Sequence, residues 1–211
     1  MRGKELEKFA KRYLLEGLPG FAVRGNLIHE QPVGSMLRAI FFDSSAFSKT
    51  TIYPGVFVQP LYVPRDHLTL TYGRRLARCG LEYIAGEEQS LANRLLEGIR
   101  EHAIPLFESL RTPETFVVNA ERWRWFRKDD CNNQWARALS LVKIGDIAGA
   151  KLWLRALRRS LSKDEGAGTW QGKLFKTGAD FASLLDRDPQ AARTLVGQWA
   201  ELTRKALRLP E

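Results

Sequence analysis

With 211 residues, 44% of them hydrophobic and 27% charged, the chain can bury a full core and lies outside the composition of disordered proteins. Its 33 Lys and Arg against 24 Asp and Glu give a formal charge of +9, richer beyond Pro105 than before it, which favours anionic partners and says nothing of fold. No apolar run approaches the roughly 18 residues of a membrane span, the opening Met1-Arg2-Gly3-Lys4-Glu5 lacks the apolar centre of a signal peptide, and Cys79 and Cys131 stand apart from any CxxC spacing. The expectation is a soluble cytoplasmic protein with no membrane contact.

From Lys4 to Glu16, Leu6, Phe9, Ala10, Tyr13 and Leu14 recur at helical spacing, and Gly17, Pro19 and Gly20 supply the stop. The segments Phe21 to Ile28, Ser35 to Phe42 and Thr51 to Val63 are rich in β-branched and aromatic residues and bounded by turn formers, so they predict three strands in a meander. Gln31-Pro32-Val33-Gly34 joins the first two. Pro54 and Pro60 each delete a ladder donor, which predicts that the third segment is an edge strand or two strands divided at Pro54-Gly55. After a turn at Pro64-Arg65-Asp66, the alternation of His67 to Tyr72 predicts a fourth strand, with Arg74, Arg75 and Arg78 clustered at its end as edge protection.

Glu87 to Leu110 carries the longest helical stripe, and Pro105 should divide or kink it near His102. Thr112-Pro113 reads as an N-cap with proline in the first turn. Beyond residue 130 every pattern is helical. Trp135, Ala138, Leu139 and Val142 mark one helix ending at Gly145, and Asp146 caps the next, on which Ile147, Ala150, Leu154, Leu157 and Leu161 share a face. A helix from about Lys173 and another after the Asp188-Pro189 cap complete a small bundle. The text from Ala138 to Ala150, with Leu141, Gly145-Asp146 and Ala150 at close-packing positions, resembles one unit of a tetratricopeptide-type repeat. The resemblance covers one helix pair, lacks the family's full set of Trp, Gly and Tyr positions, and implies a helical hairpin with no function attached.

The reading is therefore an α+β fold, with an antiparallel sheet of about four strands covered by helices in residues 1–120 and a helical part in residues 121–211, packed together as one unit.

Chemistry-bearing motifs are absent from the text. His29, His67 and His102 lie at no metal-ligand spacing, there is no GxSxG, and Gly166-Ala167-Gly168 fails both the P-loop and the dinucleotide patterns. No catalytic residue, cofactor or metal is assigned. What stands out is Glu121-Arg122-Trp123-Arg124-Trp125-Phe126-Arg127-Lys128-Asp129-Asp130, because Trp and Arg are the side chains most enriched at binding hot spots and can stack a base or clamp a carboxylate. Read structurally, Trp123 and Trp125 are packing residues at a seam, with the arginines pairing outward to Asp129 and Asp130. A second patch, Lys151, Arg155, Arg158 and Arg159, marks the basic side of the second hairpin helix. Arg122, Arg124, Trp125, Arg127 and Lys128 with that second patch form the candidate binding set. The first functional expectation is a non-enzymatic, bacterial-type interaction protein that binds a protein partner through its sheet or its helical hairpin. A nucleic-acid-binding protein using the same cations is the alternative, and an enzyme assembled from dispersed residues is the second alternative.

Overall fold

In the computed structural model, residues 3–44, 48, 50–76, 80–123, 126–161 and 168–210 are described. They form an α+β protein with an N-terminal antiparallel sheet followed by helices. The chain divides into two units, the first made of Met1–Gln59 with Thr69–Arg111 and the second of Pro60–Leu68 with Thr112–Pro210.

In the first unit, helix α1 (Lys4–Tyr13) buries Leu6, Phe9 and Ala10 on one stripe, with Glu5 and Glu7 at its positive end and Lys11 and Arg12 at its negative end. Strands β1 (Phe21–Arg24) and β2 (Leu27–Glu30) pair as a hairpin in which Arg24 faces Leu27. The continuous strand expected from Phe21 to Ile28 is thus two strands. Gly25, at φ +60°, takes the left-handed conformation that lets the chain reverse within two residues, and its N–H donates to Glu7 of α1 at 3.1 Å. Gln31 to Gly34 consequently joins β2 to β3 (Met36–Ser44).

The sheet order is β1-β2-β3-β4-β5, and both β5 (Tyr72–Arg75) and β6 (Leu81–Glu82) pair with β4 (Thr51–Pro60). Pro54 lies inside β4, so neither an edge strand nor a division at Pro54-Gly55 is needed. Strand β6 takes Thr51 and Ile52 while β5 takes Gly55 to Val58, and Pro54 falls in the gap between them, where its carbonyl accepts from Leu76 and a donor is dispensable. The expected strand at His67 to Tyr72 is displaced to Tyr72–Arg75. The buried Gln59 side chain accepts from the Thr69 N–H at 2.9 Å in place of a ladder bond, and Leu68 and Leu70 are left 40% and 47% exposed. Arg75 pairs with Asp43 at 2.9 Å and lies over the rings of Phe41 and Tyr53, while Arg78 lies outside the described residues.

Leu37, Ala39, Ile40, Ile52, Val56 and Phe57 are fully buried in the sheet, and Phe21 meets Phe107 at 6.0 Å between ring centroids. The long helix divides as Pro105 requires. Helix α2 (Glu88–Gly98) passes through a π-helical turn at Ile99–Ala103 into α3 (Ile104–Ser109), which carries Pro105 in its first turn where no donor is missed. One ionic group is buried here: Arg38 on β3 reaches Glu30 on β2 at 2.6 Å, and Arg111 joins Glu30 to Glu108. His29, the neighbour of Glu30 on β2, is also buried, and that burial holds its pKa below the ordinary value.

In the second unit, α4 (Pro113–Asn119) starts from a reciprocal cap between Thr112 and Thr115. Helices α5 (Cys131–Ile144), α6 (Ile147–Ser160), α7 (Trp170–Arg187) and α8 (Pro189–Ala206) come next; α5 packs on α4, α6 and α8, and α7 on α6 and α8. Trp135, Phe181 and Trp199 meet edge-on or tilted, with centroids 5.3 to 5.8 Å apart, and tie α5, α7 and α8 together. Residues 60–68 are bound to α5 and α8. Tyr62 donates to Ser140 at 2.7 Å, whose own proton goes to the Ala136 carbonyl, and the Arg65 N–H donates to Thr203. Burial drives the Tyr62 pKa far upward, so the phenol stays a donor.

Two outcomes are expected. Gly145 closes α5 at φ +88°, so Gly145→Ala should lower the unfolding free energy by about 1–2 kcal/mol in urea titrations, the cost of a left-handed alanine. Because His29 is held neutral below the ordinary value, the unfolded state binds its proton first, and stability should fall as pH drops through and below about 6.5. Urea midpoints measured across that range should decline in the wild type and more shallowly in His29→Gln.

Candidate interaction surface on the helical unit

The Arg and Trp stretch is neither one helix nor one strand. After α4 it makes a 3-10 turn at Ala120–Arg122 and becomes extended at Trp123, which is half-buried. Arg124 and Trp125 lie outside the described residues. The buried anchor is Phe126, whose ring meets Phe116 of α4 edge-on at 6.4 Å and Trp153 of α6 at 6.5 Å. Sequence pattern singles out the tryptophans and passes over this phenylalanine; nothing in the local spacing distinguishes it from its neighbours.

The first turn of α5 grips the remainder of the stretch. Asp130 caps the helix by accepting from the Asn133 N–H at 3.0 Å. The buried amide of Asn133 donates to the Arg127 carbonyl at 3.0 Å, and that of Gln134 donates to both the Lys128 carbonyl and Ser160 Oγ at 2.9 Å. Through Gln134, the Arg127–Lys128 segment is therefore tied to the last turn of α6. The backbone carrying Arg127 and Lys128 is thus held beside the end of the helix that carries Arg155, Arg158 and Arg159.

Charge pairing then sorts the candidate cations. Glu121 lies 2.6 Å from Lys128 and 3.3 Å from Arg137, and Arg137 spreads over the Trp153 ring at 5.4 Å. Burial lowers the Arg137 pKa and Glu121 partly restores it. Arg127 clamps Asp129 with two hydrogen bonds, at 3.2 and 2.9 Å, which holds that carboxyl below its usual range. Lys151 reaches Asp186 of α7 at 2.6 Å. By contrast Arg122, Arg155, Arg158 and Arg159 are exposed and, among the described residues, have no acidic partner within 4.0 Å. Arg155 and Arg159 lie on the α6 face turned away from Ala150, Leu154 and Leu157, Arg158 lies exposed on the flank beside the last two, and one turn before Arg155 Leu152 is 61% exposed.

Beside this face runs a cleft that no linear pattern reveals. A cavity of about 360 Å³ lies between α6 and α7, walled by Leu154, Leu157, Leu161 and Phe175, with Arg158 and Asp186 as its charged members. Its bed on α7 is Gly178, Ala179, Ala182 and Ser183. The spacing of those small residues is visible along the chain; the Leu-rich helix opposite them is not.

No family model, curated protein or solved structure matches the chain. Among the described residues no helix is long and apolar enough to cross a membrane, and no three His, Cys, Asp or Glu side chains form a group able to hold a metal ion.

Truncating the anchor tests this construction. Phe126→Ala should cost about 3 kcal/mol of unfolding free energy, measured in denaturant, because it empties a site lined by Phe116 and Trp153.

Proposed function

We propose that this chain is a non-enzymatic interaction protein that binds a protein partner through its helical hairpin, with the outer face of α6 as the contact surface. The observation that carries the reading is the set Arg155, Arg158 and Arg159, free of acidic neighbours among the described residues and flanked by the exposed Leu152. A guanidinium is weakly hydrated, always charged and forked to meet a carboxylate, so three of them around an apolar spot suit an acidic protein surface with a hydrophobic centre. The hairpin offers that face on a rigid support, since Asp146 caps α6 and Gly145 ends α5 without a connecting loop. Preorganisation of this kind lowers the ordering cost of binding.

A nucleic-acid surface would draw on a longer run of free cations. Arg127, Lys128 and Lys151 are already engaged with Asp129, Glu121 and Asp186. This pairing supports the protein partner over the polyanion.

A photo-crosslinking residue at Leu152 should capture a discrete partner in the native host, whereas the same residue at Leu202, equally exposed on α8, should not. Arg155→Glu with Arg159→Glu should reduce the yield about tenfold, the loss of roughly 1.4 kcal/mol of contact energy. Capture that is indifferent to charge reversal overturns the reading. So does tight binding of DNA or RNA with a log-log salt slope near −0.9 per phosphate on duplex or −0.7 on single strands.

A further inference from the structure

The α6–α7 cleft and the arginine face share Arg158, which stands at once on the exposed side of α6 and in the cavity wall. The two helices run antiparallel. Lys151 meets Asp186 at one end of the cleft, and Leu161 and Phe175 lie at the other. Gly178 sits close under Leu157, where an added Cβ would come within 3.2 Å of the leucine methyl. The floor is therefore apolar and shallow over the middle turns, and one end is closed by an ion pair that satisfies both of its members.

Among the described residues, the charge at the mouth is not balanced. Asp186 is neutralised by Lys151, which leaves Arg158 in the wall and Arg155 one turn earlier on α6. On the outer flank of α7, helical spacing adds Lys176 and Arg187 against Asp180, all three exposed. The cleft is an apolar trough with a net positive rim, and its length is that of a few helical turns. A helix laid along it would complete a third layer on α6 and α7 and would present carboxylates to the rim and aliphatic side chains to the floor.

Resting on the reading of α6 as the contact face, we infer that this cleft seats an acidic amphipathic helix of the partner protein. Its apolar residues at i, i+4 and i+7 lie over the half-exposed Phe175, Ala179 and Ala182 of α7, above the buried Leu154 and Leu157, and its carboxylates meet Arg158 and Arg155. Arg158 is the specificity-determining residue, because among the described residues it is the cation without an acidic partner that also lines the apolar trough.

The test uses the full chain and a synthetic fluorescein-labelled helix rich in Glu and Ala with leucines at i, i+4 and i+7, next to a counterpart with Lys in place of each Glu. By fluorescence anisotropy the acidic peptide should bind saturably and its counterpart should not. Arg158→Glu should weaken binding at least tenfold. Ser183→Trp, at an exposed position on the rim, should abolish it while circular dichroism and the urea midpoint remain those of the wild type. Absence of saturable binding, equal binding of both peptides, or binding that survives Ser183→Trp overturns the inference. Self-association of the chain that Ser183→Trp abolishes also overturns it, since the occupant is then a second copy. If charge-sensitive crosslinking at Leu152 persists while the peptide fails, the contact face stands and the cleft falls; if both fail, both fall.

Discussion

The second unit depends on a reversal made with almost no loop. The N–H of Gly145 turns back to the Val142 carbonyl and that of Asp146 to Leu141, so the end of α5 is satisfied by the two residues that also begin α6. Only a residue at ease with φ near +88° can occupy the first of these positions, and the carboxylate of the second then accepts from the Gly149 N–H. With the reversal this short, α6 must lie antiparallel against α5. Leu154 and Leu157 turn inward and Arg155, Arg158 and Arg159 turn out. That reversal, with the packing of α6 on α5 and α7, sets which side of α6 is left exposed.

Helix α5 is the element the others lean on, and its burial explains its polar content. Trp135 joins the ring cluster with Phe181 and Trp199, while Asn133, Gln134 and Ser140 are buried with donors pointed at the Arg127, Lys128 and Ala136 carbonyls. A buried amide costs stability unless it is paired, so these side chains fix where the preceding segment can run. The cost is visible in Asn133 Oδ1 and Gln134 Oε1, which are buried without a hydrogen-bond partner. Polar residues in this helix thus specify the path of the stretch from Glu121 to Asp130 more than they add to stability.

Sequence carried the helices well because their punctuation is local. Thr112, Asp130, Asp146 and Asp188 accept cap hydrogen bonds, and Pro105 divides the long helix with a π-helical turn just before it. The strands were less legible because their limits depend on partners. Phe21 to Ile28 is uniformly β-forming, and only pairing of Arg24 with Leu27 reveals that Gly25 and Asn26 form a turn. Leu68 and Leu70 alternate as a strand would, yet the buried Gln59 takes the Thr69 N–H and leaves both leucines exposed. At the candidate surface the second basic patch was legible from helical spacing alone. The pairing of Arg127, Lys128 and Lys151 with acids, and the cleft beside Arg158, arise from contacts between elements that no local pattern encodes.

Two arginines of the same hairpin, one on α5 and one on α6, stand in opposite surroundings. Arg137 on α5 is withdrawn from water, laid over Trp153 and held by Glu121, yet two of its nitrogens are buried without a partner. Its charge serves packing, at a cost that burial makes plain in its lowered pKa. Arg158 on α6 is exposed, beside an apolar cleft, with no acid in reach among the described residues. A fold that commits Glu121 to Lys128 and Arg137, and Asp186 to Lys151, has supplied counter-charges where structure requires them. Where α6 faces outward it supplies none among the described residues, and a carboxylate brought by a partner would meet guanidinium groups that need not break an existing pair to receive it.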